Sequence, residues 1–103
     1  MTPTHAIRML DRQLAKHGQD VTIKLTGGDV VVRAFVRGMK PDELTGDLSQ
    51  NDRKVTLSPT GLPSLPQRLD TLTTEEREHM IEFQPDVVRM NNVPVRINLV
   101  VRG

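Results

Sequence analysis

The sequence predicts a mainly β domain: a small antiparallel β-barrel or sandwich with an N-terminal α-helix and a long mobile loop. Three observations carry this expectation. Residues 30–38, Val-Val-Val-Arg-Ala-Phe-Val-Arg-Gly, form the longest β-branched run in the chain, and nine extended residues span about 30 Å. The C-terminal residues 94–102 alternate, with Val95, Ile97, Leu99 and Val101 on one face. Clear helical spacing belongs to the N-terminus, where Ala6, Ile7, Leu10 and Leu14 share one side.

Taken in order, Thr2-Pro3 supplies an N-cap and a first-turn proline. Gly18 follows His17 as a C′ residue would, so a helix is expected over about residues 3–17. Its apolar stripe is narrow and suits packing against a sheet. Val21-Thr22-Ile23-Lys24-Leu25-Thr26 alternates as a half-buried strand does, and Gly27-Gly28-Asp29 tolerates the positive φ of a tight turn. A hairpin of strands 21–26 and 30–38 follows. In the second strand Val30, Val32, Ala34 and Val36 share one face, and Val31, Arg33, Phe35 and Arg37 the other. That mixed second face suggests contact with copies of the chain or with partners.

From residue 39 to 52 the hydrophobic period disappears, which predicts a functional or mobile loop. Strand 53–58 returns with Val55 and Leu57 inward. Pro59, Pro63 and Pro66 keep residues 60–69 irregular. Residues 70–90 have two readings. Thr73 followed by Glu76 makes a capping box for a helix bearing Leu72, Met80 and Phe83. The rival is a β-hairpin pairing 69–73 with 79–83 around the acidic residues 75–78. Asn91-Asn92 reads as a turn between residues 87–90 and a terminal strand at 95–102.

Composition bounds the rest. A chain of 103 residues is a prior for one domain, residues 1–103. Hydrophobic residues make up 36%, and the aromatics are Phe35 and Phe83 alone, so the core is thin and assembly would help it. Without cysteine, disulfides and thiolate metal sites are excluded. No apolar run is long enough for a bilayer-spanning helix and no signal-peptide pattern opens the chain, which predicts a soluble, intracellular protein with no membrane partner. The net charge of +1 is unevenly spread. Residues 1–40 carry +4, 41–69 carry −1, 70–86 carry −5 and 87–103 carry +3. Opposite blocks on one small domain suit head-to-tail pairing between subunits, although ordinary solvated faces also alternate in sign.

The chemical inventory is short. His5, His17 and His79 lack metal-ligand spacing and are expected at the surface or at helix ends. Ser49, Ser58 and Ser64 have no nucleophile-elbow context. Asp42-Glu43 and Glu75-Glu76 are chain neighbours whose side chains diverge, a poor start for an acid/base pair. The expectation is a non-enzyme without cofactor or metal. Arg33, Arg37, Lys40, Arg53 and Lys54 could form a basic strip. Only Phe35 is nearby for base stacking, and Asp42, Glu43, Asp47 and Asp52 interleave with it. A solvated sheet face with inter-subunit ion pairs is favoured over a nucleic-acid surface.

The order of these pieces is a short amphipathic helix, then a hairpin ending Val31-Val32-Arg33-Ala34-Phe35-Val36-Arg37. Next come Pro41-Asp42-Glu43-Leu44, the strand Asp52-Arg53-Lys54-Val55-Thr56-Leu57-Ser58, and Leu69-Asp70-Thr71-Leu72-Thr73 before a C-terminal hairpin. This pattern resembles the small head–tail joining (head-completion or stopper) proteins of long-tailed bacteriophages and prophages. Leu69-Asp70 stands where family members often carry Gly-Asp. The resemblance implies a structural virion protein of the head–tail connector, assembled in the host cytoplasm. It implies a ring of copies, a hexamer, beneath the portal or its adaptor, retaining packaged DNA and presenting the docking surface for the tail terminator or tail tube. DNA would touch it in passing through the channel. The expected contact residues are Lys40, Asp42, Glu43 and Leu44 in the loop, with Arg33 and Arg37 at the subunit boundary or lumen. The alternative is a small β-barrel adaptor that binds a protein or nucleic-acid partner in a regulatory role.

Overall fold

The computed structural model describes residues 2–25, 27–39, 52–74 and 77–102. Helix α1 (Pro3–His17) opens as its sequence dictates: the Thr2 side-chain oxygen accepts from the His5 amide at 3.2 Å, with Pro3 in the first turn. Leu10 and Leu14 are its buried residues, and it packs against the second and last strands. Its end departs from expectation. Gly18 has φ −84°, not the left-handed conformation of a glycine C′. Glycine is needed there for space, because a Cβ would stand 2.6 Å from the Leu14 carbonyl oxygen and 2.9 Å from that of Ala34. Helix and sheet meet backbone to backbone at this residue.

Among the described residues, seven antiparallel strands follow: β1 (Gln19–Leu25), β2 (Gly28–Gly38), β3 (Arg53–Leu57), β4 (Thr71–Thr73), β5 (Glu78–Ile81), β6 (Asp86–Met90) and β7 (Val93–Arg102). Their order is β3-β2-β1-β4-β5-β7-β6, and β3 also pairs with β7, so β3-β2-β1-β4-β5-β7 close into a barrel. Between the alternatives of barrel and sandwich, the fold is a barrel. The β1–β2 hairpin begins at Leu25↔Gly28, with Gly28 at φ +132°.

The barrel interior is aliphatic. Val21, Ile23, Leu25, Ala34, Val55, Leu57, Leu72, Ile81, Ile97, Leu99 and Val101 form one buried cluster, with Val30, Val32 and Val36 packed against it. Alternation along β1, β3 and β7 puts these residues inside, so both strand faces follow from sequence there. The second face of β2 is mixed as expected: Val31 is 66% exposed, while Arg33 and Phe35 are half-buried.

Residues 70–90 contain a hairpin and not the helix, with its pairing displaced by one residue from the expected 69–73 with 79–83 and with Glu78 in a strand instead of the turn. Thr71, Leu72 and Thr73 pair with Met80, His79 and Glu78. A helix there would have given Leu72 and Ile81 no common face, whereas period-two alternation buries both in the barrel. This register also sends His79 inward beside Leu72, and it is 3% exposed. The expectation of a surface histidine is thereby overturned.

β5 and β6 lie in succession along the same edge of β7. The ladder continues past β5, with the Glu82 amide donating to the Val100 carbonyl at 2.9 Å, and residues 83–85 interrupt it before β6. Proline at 85 has no N–H to carry it on. The β6–β7 connection is a two-residue turn in which Asn91 and Asn92 have φ of 50° and 66°, the requirement of a type I′ hairpin. Val93 and Pro94 belong to β7, which therefore starts before the expected Val95. Pro94 faces Arg89 at the pairing irregularity.

Candidate interaction surface

The expected contact residues divide into three groups. Lys40, Asp42, Glu43 and Leu44 lie outside the described residues. Arg37 is exposed on the outer face of β2, where its Nη1 donates to the Gly38 carbonyl at 3.1 Å. Arg33 is turned toward its own helix. Its Nη2 donates to the Gly18 carbonyl at 2.7 Å and to that of Ala15 at 3.3 Å, and its Nε donates to that of Leu14 at 3.2 Å. Nη1 also reaches Asp20 Oδ1 at 3.3 Å. A guanidinium among the last carbonyls of α1 meets the negative end of the helix dipole. This couples β2 to α1, and sequence spacing alone gave no sign of it.

Of the basic residues that could form a strip, Lys54 stands opposite Arg37, but those described do not all share one sheet face. Arg33, Phe35 and Arg37 share the outer face of β2, but Arg53 alternates with Lys54 on β3 and carries the inward parity of Val55. Arg53 and Arg37 nonetheless meet, with Gln19, Val36, Thr74 and His79, around a cavity of about 100 Å³ at one end of the barrel. There Thr74 Oγ1 stands 3.4 Å from His79 Nε2. At this end Gly38 and Arg53 are register partners, so the chain between β2 and β3 leaves and returns on adjacent strands.

The return is fastened by a buried ion pair. Asp52 is fully buried, and both its oxygens receive Arg102, Nε to Oδ1 at 2.7 Å and Nη2 to Oδ2 at 2.9 Å. Arg102 Nη1 reaches Glu82 at 3.3 Å. A two-pronged guanidinium–carboxylate pair fixes geometry as well as charge. The residues are fifty positions apart, beyond the reach of any local sequence signal.

Among the described residues, the barrel leaves two stretches of sheet edge without a neighbouring strand. β2 pairs with β3 only over residues 34–38, so residues 28–33 face a strand on the β1 side alone. β6 pairs only with β7. Ladder parity states which backbone groups point outward. The Val100 carbonyl faces the β5/β6 side, so Asn98 and Arg96 do too, and their partners Asp86 and Val88 point back at β7. Val87 and Arg89 therefore present N–H and C=O outward. On β2, Gly28, Val30 and Val32 bond toward β1, leaving Asp29 and Val31 to point away.

Beside the β6 edge runs a groove of about 430 Å³ lined by Leu65, Pro66, Gln67, Pro85, Val87 and Arg89 among others. A second, more apolar groove of about 370 Å³ lies between Ile7 of α1, residues 59–65 and Val93-Pro94. Among the described residues no group of three or more His, Cys, Asp and Glu is placed to hold a metal ion. No described helix is long and apolar enough to cross a membrane. No protein-family model, curated protein or solved structure matches the chain.

Proposed function

We propose that this chain is a structural protein of a tailed-phage head–tail connector, forming a ring below the portal or its adaptor. In that ring it would help retain packaged DNA and offer the surface on which the tail docks. The observation that carries the reading is the pair of unlike edges, on β2 and on β6, left open among the described residues in a barrel otherwise closed on itself. Two different edges on one subunit favour head-to-tail contact, the geometry from which rings are built. Supporting the resemblance, Leu69 adopts φ 76° where the family often has the glycine of Gly-Asp, and glycine is the residue suited to that conformation. Asp70 caps this turn by accepting from the Gln67 amide at 2.9 Å.

In this role the chain between β2 and β3, held at both stems, reaches portal or tail partners, and the barrel serves as its mount. The test is negative-stain imaging of the purified protein alone and mixed with tailless, DNA-filled heads. Rings, or density capping the exit vertex of the head, are the expected result. A protein that stays monomeric and ignores heads at high concentration overturns the reading. One-to-one capture of a single partner would then favour the adaptor.

A further inference from the structure

We infer that the two open edges are made for each other: the tip of the β1–β2 hairpin of one copy adds as an antiparallel strand to β6 of the next. This rests on the ring reading above and names its interface. Strand addition needs outward backbone groups on both edges in matching register. Asp29 and Val31 supply them on β2, and Val87 and Arg89 on β6, each pair spaced by two residues. Laid antiparallel, Val31 falls opposite Val87 and Asp29 opposite Arg89.

That register pairs like with like in polarity and opposite in charge. Val31, at 66% exposed, gains an apolar neighbour. Asp29 and Arg89 are both exposed and have no ion-pair partner among the described residues; the new ladder sets them face to face. The same register puts Arg33 opposite Pro85. Pairing ends there, because proline has no N–H to offer and Arg33 is turned to its own helix. The shape also agrees. Gly27 and Gly28 have open space around them, so the hairpin tip is slender, and the groove beside β6 offers room for it. Because the tip and the groove are different surfaces, each copy offers one and receives the other. The contact propagates until it closes.

The chain has no cysteine, so engineered thiols report cleanly. Val31 and Val87 would face each other as a hydrogen-bonded pair with Cα atoms about 5.5 Å apart, within disulfide range. The full-length Val31→Cys/Val87→Cys protein is oxidised alone and with tailless heads, then run on non-reducing gels beside each single variant. The expected result is a ladder past the dimer for the double variant, while neither single passes the dimer. Absence of that ladder in both settings overturns the inference. Asp29→Arg and Arg89→Asp give an independent check. Each alone should fail to assemble, whereas an equimolar mixture should assemble by alternation. Failure of the mixture, with both variants folded by circular dichroism, also overturns it. Rings on heads without the ladder would sink this interface and spare the connector reading. A ladder from a protein that ignores heads would do the reverse.

Discussion

Arg33→Met separates two roles for a residue that the resemblance implies at the subunit boundary or lumen. In the structure its guanidinium serves the end of α1. The bond to the Gly18 carbonyl at 2.7 Å is short and charge-assisted, and its loss costs about 1.5–2 kcal/mol. The contacts to Leu14 and Ala15, at 3.2 and 3.3 Å, act mainly through the helix terminus, about 0.3–1 kcal/mol. The Asp20 contact adds almost nothing, since that carboxylate is 67% exposed. Together these predict a loss of about 2–3 kcal/mol, or a melting temperature lower by about 10–20 °C for a domain of this size. Thermal unfolding followed by circular dichroism reads the shift. Arg33→Lys should recover less than half, because a lysine cannot fork between carbonyls. A variant that melts within about two degrees of wild type yet fails to assemble would refute the helix-clasp account and restore Arg33 to the interface.

Three further outcomes follow from the fold. Asp52→Ala strands the Arg102 guanidinium; removing one partner of a buried pair costs about 3–5 kcal/mol. Arg102 is 38% exposed and keeps Glu82, so about 2–3 kcal/mol is expected here, read as a lower urea midpoint at unchanged slope. Gly18→Ala drives a methyl between two backbone carbonyls and should cost about 3 kcal/mol, the upper part of the overpacking range; near-neutrality would show that helix and sheet can slide apart. Leu69→Gly should raise stability by up to about 1 kcal/mol, relieving a left-handed leucine. A drop in melting temperature would mean that the leucine side chain, although 60% exposed, packs usefully.

The parts of the fold legible in sequence were those fixed by local pattern. The alternation of β7 and β1, the Thr2-Pro3 start of α1 and the Asn91-Asn92 turn each rest on a few adjacent residues, and the structure has all of them. Local pattern also misled. Thr73 and Glu76 imitate a helix cap, but the fate of residues 71–81 was decided by β1 and β7, whose sheet they enter from far along the chain. Gly18 looked like a helix terminator for its dihedral freedom, whereas the constraint comes from Ala34 of a strand not yet made at that point in the sequence. His79 is expected at the surface because pairing 69–73 with 79–83 sets Met80 opposite Leu72; the observed register is displaced by one residue, which sets His79 opposite Leu72 and turns it inward. The clasp of Arg33 on the end of α1 was illegible for the same reason, since its partners are main-chain carbonyls that no sequence motif marks. The open edges of β2 and β6 were invisible too, because an edge is defined by strands that fail to pair.

The register partnership of Gly38 with Arg53 separates two problems that most proteins must solve together. Closing a loop on stems already hydrogen-bonded adds little entropy cost with length, about 0.6 kcal/mol for each doubling. The chain between those stems can therefore change in length at little closure cost. A lineage of such proteins could exchange partners by rewriting the chain between those stems while the barrel kept its fold and the edges that join copies. The same junction is the natural place to graft a foreign peptide, because two clamped strands would display it at a fixed end of a small, cysteine-free scaffold.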